Sequence, residues 1–96
     1  MTPTEIVAVT KAWEADPKCR PACVMLADLP GMPHVALITR DALHRRLLEL
    51  GAFVQPAAGN GYLVYNQTNQ GSIAWSPDSL IIAMARGIIA LAKENP

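Results

Sequence analysis

No charged side chain occurs anywhere in residues 50–77, between Glu49 and Asp78. Over the whole chain neither sign is in excess: eight Lys+Arg stand against eight Asp+Glu, for a net charge of zero. Affinity for a phosphate backbone comes from clustered, uncompensated cations. The chain is therefore not built mainly to neutralise nucleic acid, although a local basic patch remains compatible with its composition. No apolar run reaches the roughly 20 residues of a membrane helix. The longest, Leu80 to Ala85, is interrupted by Arg86 and resumes from Gly87 to Ala92. The start, Met1-Thr2-Pro3-Thr4-Glu5, lacks a basic segment followed by an apolar one. A cytoplasmic location with no membrane contact is the expectation.

The usual marks of catalysis are missing too. There is no Gly-x-Ser-x-Gly elbow, Walker loop, His-Glu-x-x-His pair or dinucleotide fingerprint. Gly59-Asn60-Gly61 reads as a turn rather than a phosphate cradle. The expectation is a protein that is not an enzyme and uses no cofactor. Only two cysteines and two histidines are present, and Cys19, Cys23, His34 and His44 together could make a Cys2His2 zinc set. Their spacings do not follow the finger pattern. His44 also sits beside Arg45 and Arg46, which disfavours a cation. Two ordinary thiols and no metal are expected.

What the chain does have is apolar substance. Hydrophobic residues make up 51% of its 96 residues and charged ones 17%, a balance opposite to that of disordered chains. One compact domain over residues 1–96 follows, with no repeat or linker to divide it. Thr2-Pro3-Thr4-Glu5 spells a helix start, with Thr2 as cap and Glu5 closing a capping box. Ile6, Val9 and Trp13 then share a face, and Asp16-Pro17 ends the helix. Cys23 to Leu29 suits either a strand or a short helix. Pro30-Gly31-Met32-Pro33 is a turn, and His34 to Ile38 a brief β-like run.

Thr39 is the expected cap of a second long helix with Leu43, Leu47 and Leu50 on one face and Gly51 just past its end. Phe53-Val54-Gln55 and Tyr62-Leu63-Val64-Tyr65 read as strands. Asn60-Gly61 signals a tight turn between them, while Pro56 argues for a wider hairpin. Asn66 to Ser72 is a polar loop, and Ile73-Ala74-Trp75 suits a third short strand. Ser76-Pro77-Asp78 is the expected start of a last helix over about 77–93. The fold class is α+β.

Three of the five arginines, Arg40, Arg45 and Arg46, lie on the helix after Thr39. In a recognition helix they would reach phosphates or guanine edges. On a solvated face, Asp41, Arg45 and Glu49 at i, i+4, i+8 would neutralise one another instead. The run from Ile38-Thr39-Arg40 through Leu47-Leu48-Glu49-Leu50-Gly51, with Phe53-Val54 and then Gly59-Asn60-Gly61-Tyr62-Leu63-Val64, resembles the end of a winged helix-turn-helix domain. It is most similar to bacterial regulators of the GntR type. The resemblance covers residues 38–65 and implies a winged-helix-like unit. In it Thr39, Arg40, His44, Arg45 and Arg46 would face DNA, and Gly59 and Gly61 would shape the wing. It departs from that family in the Pro30–Pro33 segment and in a wing without Lys or Arg.

The uncharged stretch holds Tyr62, Tyr65, Asn66, Gln67 and Trp75. Interface cores are depleted of charge and enriched in Tyr and Trp; an ordinary hairpin over its own core would look the same. The last helix is apolar almost all round, which requires burial on several sides, either centrally or against a second copy in a homodimer. Two functions follow. In the favoured one, the chain docks on a protein partner as an adaptor or inhibitor through Tyr62, Tyr65, Asn66, Gln67 and Trp75. Small phage- or plasmid-type antagonists offer an analogy of size and character. In the alternative, it is a DNA-binding transcriptional regulator that uses the helix over 39–50.

Overall fold

Thr2 opens the first helix, α1 (Pro3–Ala15), in a computed structural model that describes residues 2–19, 33–57, 59–68 and 71–94. The capping box forms in both directions: Glu5 N–H donates to Thr2 Oγ1 at 3.2 Å, and Thr2 N–H donates to Glu5 Oε1 at 2.9 Å. Asp16 closes the helix, and a single 3-10 turn, Pro17–Cys19, follows. The segment Cys23 to Leu29 and most of the expected Pro30–Pro33 turn lie outside the described residues.

The second helix, α2 (Pro33–Glu49), corrects two expectations. His34 to Ile38 is helical rather than β-like, and Thr39 lies inside the helix rather than at its cap. Pro33 supplies the reason: its fixed φ and missing N–H suit a first helical turn. The β-branched Val35, Ile38 and Thr39 lower helix propensity by only a few tenths of a kcal/mol each, too little to break a continuing helix. Leu43 and Leu47 are buried on one face as expected, and Leu50 packs beside them. Gly51 ends the helix at φ +81°, a left-handed conformation that favours glycine.

From Gly51 the chain enters a three-stranded antiparallel meander: β1 (Ala52–Pro56), β2 (Tyr62–Asn66) and β3 (Ser72–Ser76), in spatial order β1-β2-β3. The first hairpin is wide, with Pro56 opposite Tyr62 and Ala57 N–H bonded to Gly61 O at 2.9 Å. Gly61 has φ +82°, and a Cβ there would fall on Ser76 O. A bulge between Val64 and Tyr65 shifts the β2–β3 register.

The last helix, α3 (Leu80–Glu94), starts three residues later than Ser76-Pro77-Asp78 suggests. Its cap is Ser79, whose Oγ accepts Ile82 N–H at 3.1 Å. Ser76 instead completes β3 and is buried. The two serines compete for the same role, and pairing with Tyr62 holds Ser76 in the sheet.

α3 packs on α1, α2, β2 and β3, while α1 rests chiefly on α3. The helix therefore lies between α1 and the sheet. Ile81 to Ala85, Ile88 and Leu91 are all buried, which accounts for a sequence apolar on nearly every side. Gly87 sits at the tightest point: a Cβ would come within 2.7 Å of Val64 Cγ1 and 3.3 Å of Leu47 Cδ2. The small Gly87 thus permits strand and helix contacts within the chain. The result is a small compact α+β domain with three helices on one side of the sheet, among the described residues.

Glu5 ties two helix starts together. Besides its bond to Thr2, its Oε2 accepts Ser79 Oγ–H at 2.8 Å, so one carboxylate serves the caps of α1 and α3. Burial pushes its pKa up, but bonds from the Thr2 amide and the Ser79 and Thr2 hydroxyls outweigh this, and the pKa lies below its ordinary value. A depressed carboxylate pKa contributes stability that is present above the unfolded-state value and lost as pH falls through the folded one. Glu5→Gln is accordingly expected to cost about 1 kcal/mol near neutral pH and less in acid. Urea unfolding at pH 7 and pH 3 checks this; an equal penalty at both would contradict the role of the charge.

Candidate functional site

Alternation along the strands sorts the sheet residues onto two faces. Ala52, Val54, Tyr62, Val64 and Ala74 turn toward the helices and join or abut the core. Phe53 and Gln55 on β1, Leu63 and Tyr65 on β2, and Trp75 on β3 turn the other way. Phe53 is paired with Tyr65, and Leu63 with both Gln55 and Trp75. No described helix packs on this outer face. It carries no charge.

Its aromatics are held in place. The Phe53 and Tyr65 rings meet edge to face, with centroids 3.9 Å apart. Trp75 is 46% exposed, and its indole N–H donates to Asn60 O at 3.3 Å. The one polar atom of the indole is thereby engaged within the chain, and what faces solvent is apolar ring. A pinned side chain loses little rotamer freedom when something covers it.

The expected interface residues are divided by this geometry. Tyr65 and Trp75 lie on the outer face. Tyr62 turns inward, packs against the core and lines a cleft. Asn66 ends β2 and Gln67 follows it; Asn66 Oδ1 accepts Thr68 N–H at 2.8 Å and Gln67 N–H donates to Gly51 O. Phe53, Gln55 and Leu63 belong to the face but were not among the expected residues. The period-two pairs Phe53-x-Gln55 and Leu63-x-Tyr65 carried the signal.

A second region lies on α2. Arg40, Asp41, His44 and Arg45 are exposed. The Asp41–Arg45 ion pair suggested by their i, i+4 spacing does not form. Instead Arg46 Nε meets Asp16 Oδ2 at 2.5 Å and its Nη1 meets Glu49 Oε2 at 3.0 Å, with Asp16 buried. Arg46 thus fastens α2 to the end of α1. Thr39 is the seventh residue of the helix that begins at Pro33, and its side chain is outside the described residues.

Arg40 and His44 also border a cleft of about 410 Å³ between α2, the hairpin and the start of α3, floored by Val54, Leu80 and Met84. An adjoining hollow shares Arg40 and Tyr62 and adds Glu5 and Asp78. Arg40 therefore has Asp41, Glu5 and Asp78 as neighbours around this opening, a setting that disfavours a phosphate there. Among the described residues no three His, Cys, Asp or Glu side chains converge on a metal-sized site; Cys23 lies outside those residues. No described helix is long and apolar enough to cross a membrane. On α3, the exposed described residues are Arg86 and Lys93.

Compared with protein families, characterised proteins and solved structures, the chain matches none.

Removing Arg46 takes the ion-pair partner from the buried Asp16 carboxylate, which keeps the Lys18 N–H as a donor. Arg46→Met is expected to destabilise the fold by roughly 3 kcal/mol, read as a lower thermal midpoint, whereas Arg45→Ala stays within about 0.5 kcal/mol of the parent. Equal midpoints for the two variants would contradict the assignment.

Proposed function

We propose that the chain is a non-enzymatic binding module that docks on a protein partner, as adaptor or inhibitor, through the outer face of its sheet. The observation that carries this reading is the Phe53–Tyr65–Leu63–Trp75 surface, which is uncharged, aromatic and uncovered by any described helix. Charged residues cost desolvation free energy when buried in an interface, while pinned aromatics contribute area at small entropic cost. Three five-residue strands present on the order of 250 Å² in plan, well short of the ~800 Å² per partner of a standard interface. The contact is accordingly of the transient class, or it extends onto the loop around Asn60.

A photoreactive phenylalanine analogue at Tyr65, and separately at Val7 on the exposed side of α1, tests the reading in cells. Protein adducts from position 65, reduced at least tenfold by Trp75→Ala and absent from position 7, are the expected result. Adducts independent of Trp75, or equal from both positions, would overturn it.

A second reading has its own support. Arg45 lacks the expected Asp41 bridge and, with Arg40, leaves α2 two exposed arginines next to a hairpin that resembles a GntR-type wing. On that reading the chain is a winged-helix-like DNA-binding regulator. Arg46 is excluded from its test because of its tie to Asp16. The protein-docking reading predicts no salt-sensitive binding of random duplex DNA in fluorescence anisotropy. Binding that weakens steeply with salt, and whose salt slope flattens in Arg40→Ala/Arg45→Ala, would put DNA first.

A further inference from the structure

Among the described residues the sheet ends in two unpaired edges, β1 and β3. The groups each edge presents follow from the register. Ala57 N–H bonds Gly61 O, and Gln67 N–H bonds Gly51 O, both at 2.9 Å. Residues 61, 63, 65 and 67 therefore turn their backbone groups toward β1. Asn66 N–H bonds Gly71 O at 2.9 Å, so residues 62, 64 and 66 turn toward β3. Backbone groups of an antiparallel pair alternate in this way between bonded and non-bonded positions.

The outward positions are then assigned. On β1 they are Ala52, Val54 and Pro56, the partners of Asn66, Val64 and Tyr62. Pro56 has no N–H, and at an outward position none is needed. This explains how a proline sits inside a strand, and it also blunts that edge. On the regular part of β3 the outward residue is Trp75, opposite Leu63; beyond it the edge is broken by the bulge at Ile73 and Ser72, opposite Tyr65. Its carbonyl is occupied by the Arg86 guanidinium, with Nη1 at 2.9 Å.

We infer that Arg86 is an edge guard: by holding the Trp75 carbonyl it prevents β3 of one copy from pairing with β3 of a second. Such a pairing around a two-fold axis would require an incoming N–H where the guanidinium now sits. It would also bring two Arg86 side chains together at the axis, like charges at short range. Exposed edges invite strand addition unless charge, proline, a bulge or shortness discourages it. β3 is five residues long and itself carries the bulge, with Ile73 as the extra residue between Ser72 and Ala74, but on the regular Ala74–Ser76 end of the edge the outward Trp75 carbonyl depends on Arg86. The inference is independent of what the outer face binds, because edge and face are perpendicular surfaces.

Arg86→Met keeps the side-chain stem and removes the donors; Arg86→Lys keeps a cationic donor. In sedimentation velocity over a hundredfold concentration range, the parent and Arg86→Lys are expected to remain monomeric and Arg86→Met to dimerise. The Trp75 amide is expected to exchange rapidly in the parent and at least tenfold more slowly in the dimer. A monomeric Arg86→Met, or a dimer in which Trp75 exchange is unchanged, would overturn the inference. Slow Trp75 exchange in the parent monomer would do so as well, whether or not the variant folds.

Discussion

A helix with almost no polar side cannot rest on a surface; it must be wrapped. In this chain α3 supplies the buried mass, and each large side chain among Ile81, Met84, Ile88 and Leu91 contributes about 1.5–3 kcal/mol through removal from water. That benefit is realised only if apolar groups arrive from several directions. Val9 and Ala12 of α1, Leu43 and Leu47 of α2 and Val64 of β2 do so. Gly87 lets the sheet come close enough to close the remaining gap.

Polar interactions are concentrated where these layers end. Glu5 engages the caps of α1 and α3, so a single carboxylate sits near the positive ends of two helix dipoles. Arg46 and Asp16 fasten the opposite end of α1 to α2. The sheet has no charged residue of its own. Its edge contact is lent by Arg86 from α3, and its outer face is left uncharged. The functional proposal follows from this division: charge holds the helices in place, while the sheet presents apolar surface.

Much of this was legible in the linear pattern. The capping box at Thr2 and Glu5, the leucine face of α2, the left-handed Gly51 and all three strands follow from local rules that need no partner. The errors arose where two local signals competed. Pro33 and Thr39 are both acceptable helix starts, as are Ser76 and Ser79, and local chemistry does not rank them. Tertiary context chose Ser79 because Ser76 pairs with Tyr62 and is buried in the sheet. The Asp41–Arg45–Glu49 ladder failed for a related reason: Arg46 claimed Glu49, and a long-range partner in Asp16 fixed Arg46.

Composition and periodicity act through neighbours along the chain, and they were enough to mark residues 50–77 as an uncharged, aromatic-bearing β region and to require burial of the last helix. Which aromatics share a face was settled by the assembled sheet, with Phe53, Tyr65 and Trp75 outside and Tyr62 within. It also decided which arginines are engaged. Strand register and long-range ion pairs join residues far apart in sequence, and no local preference specifies them.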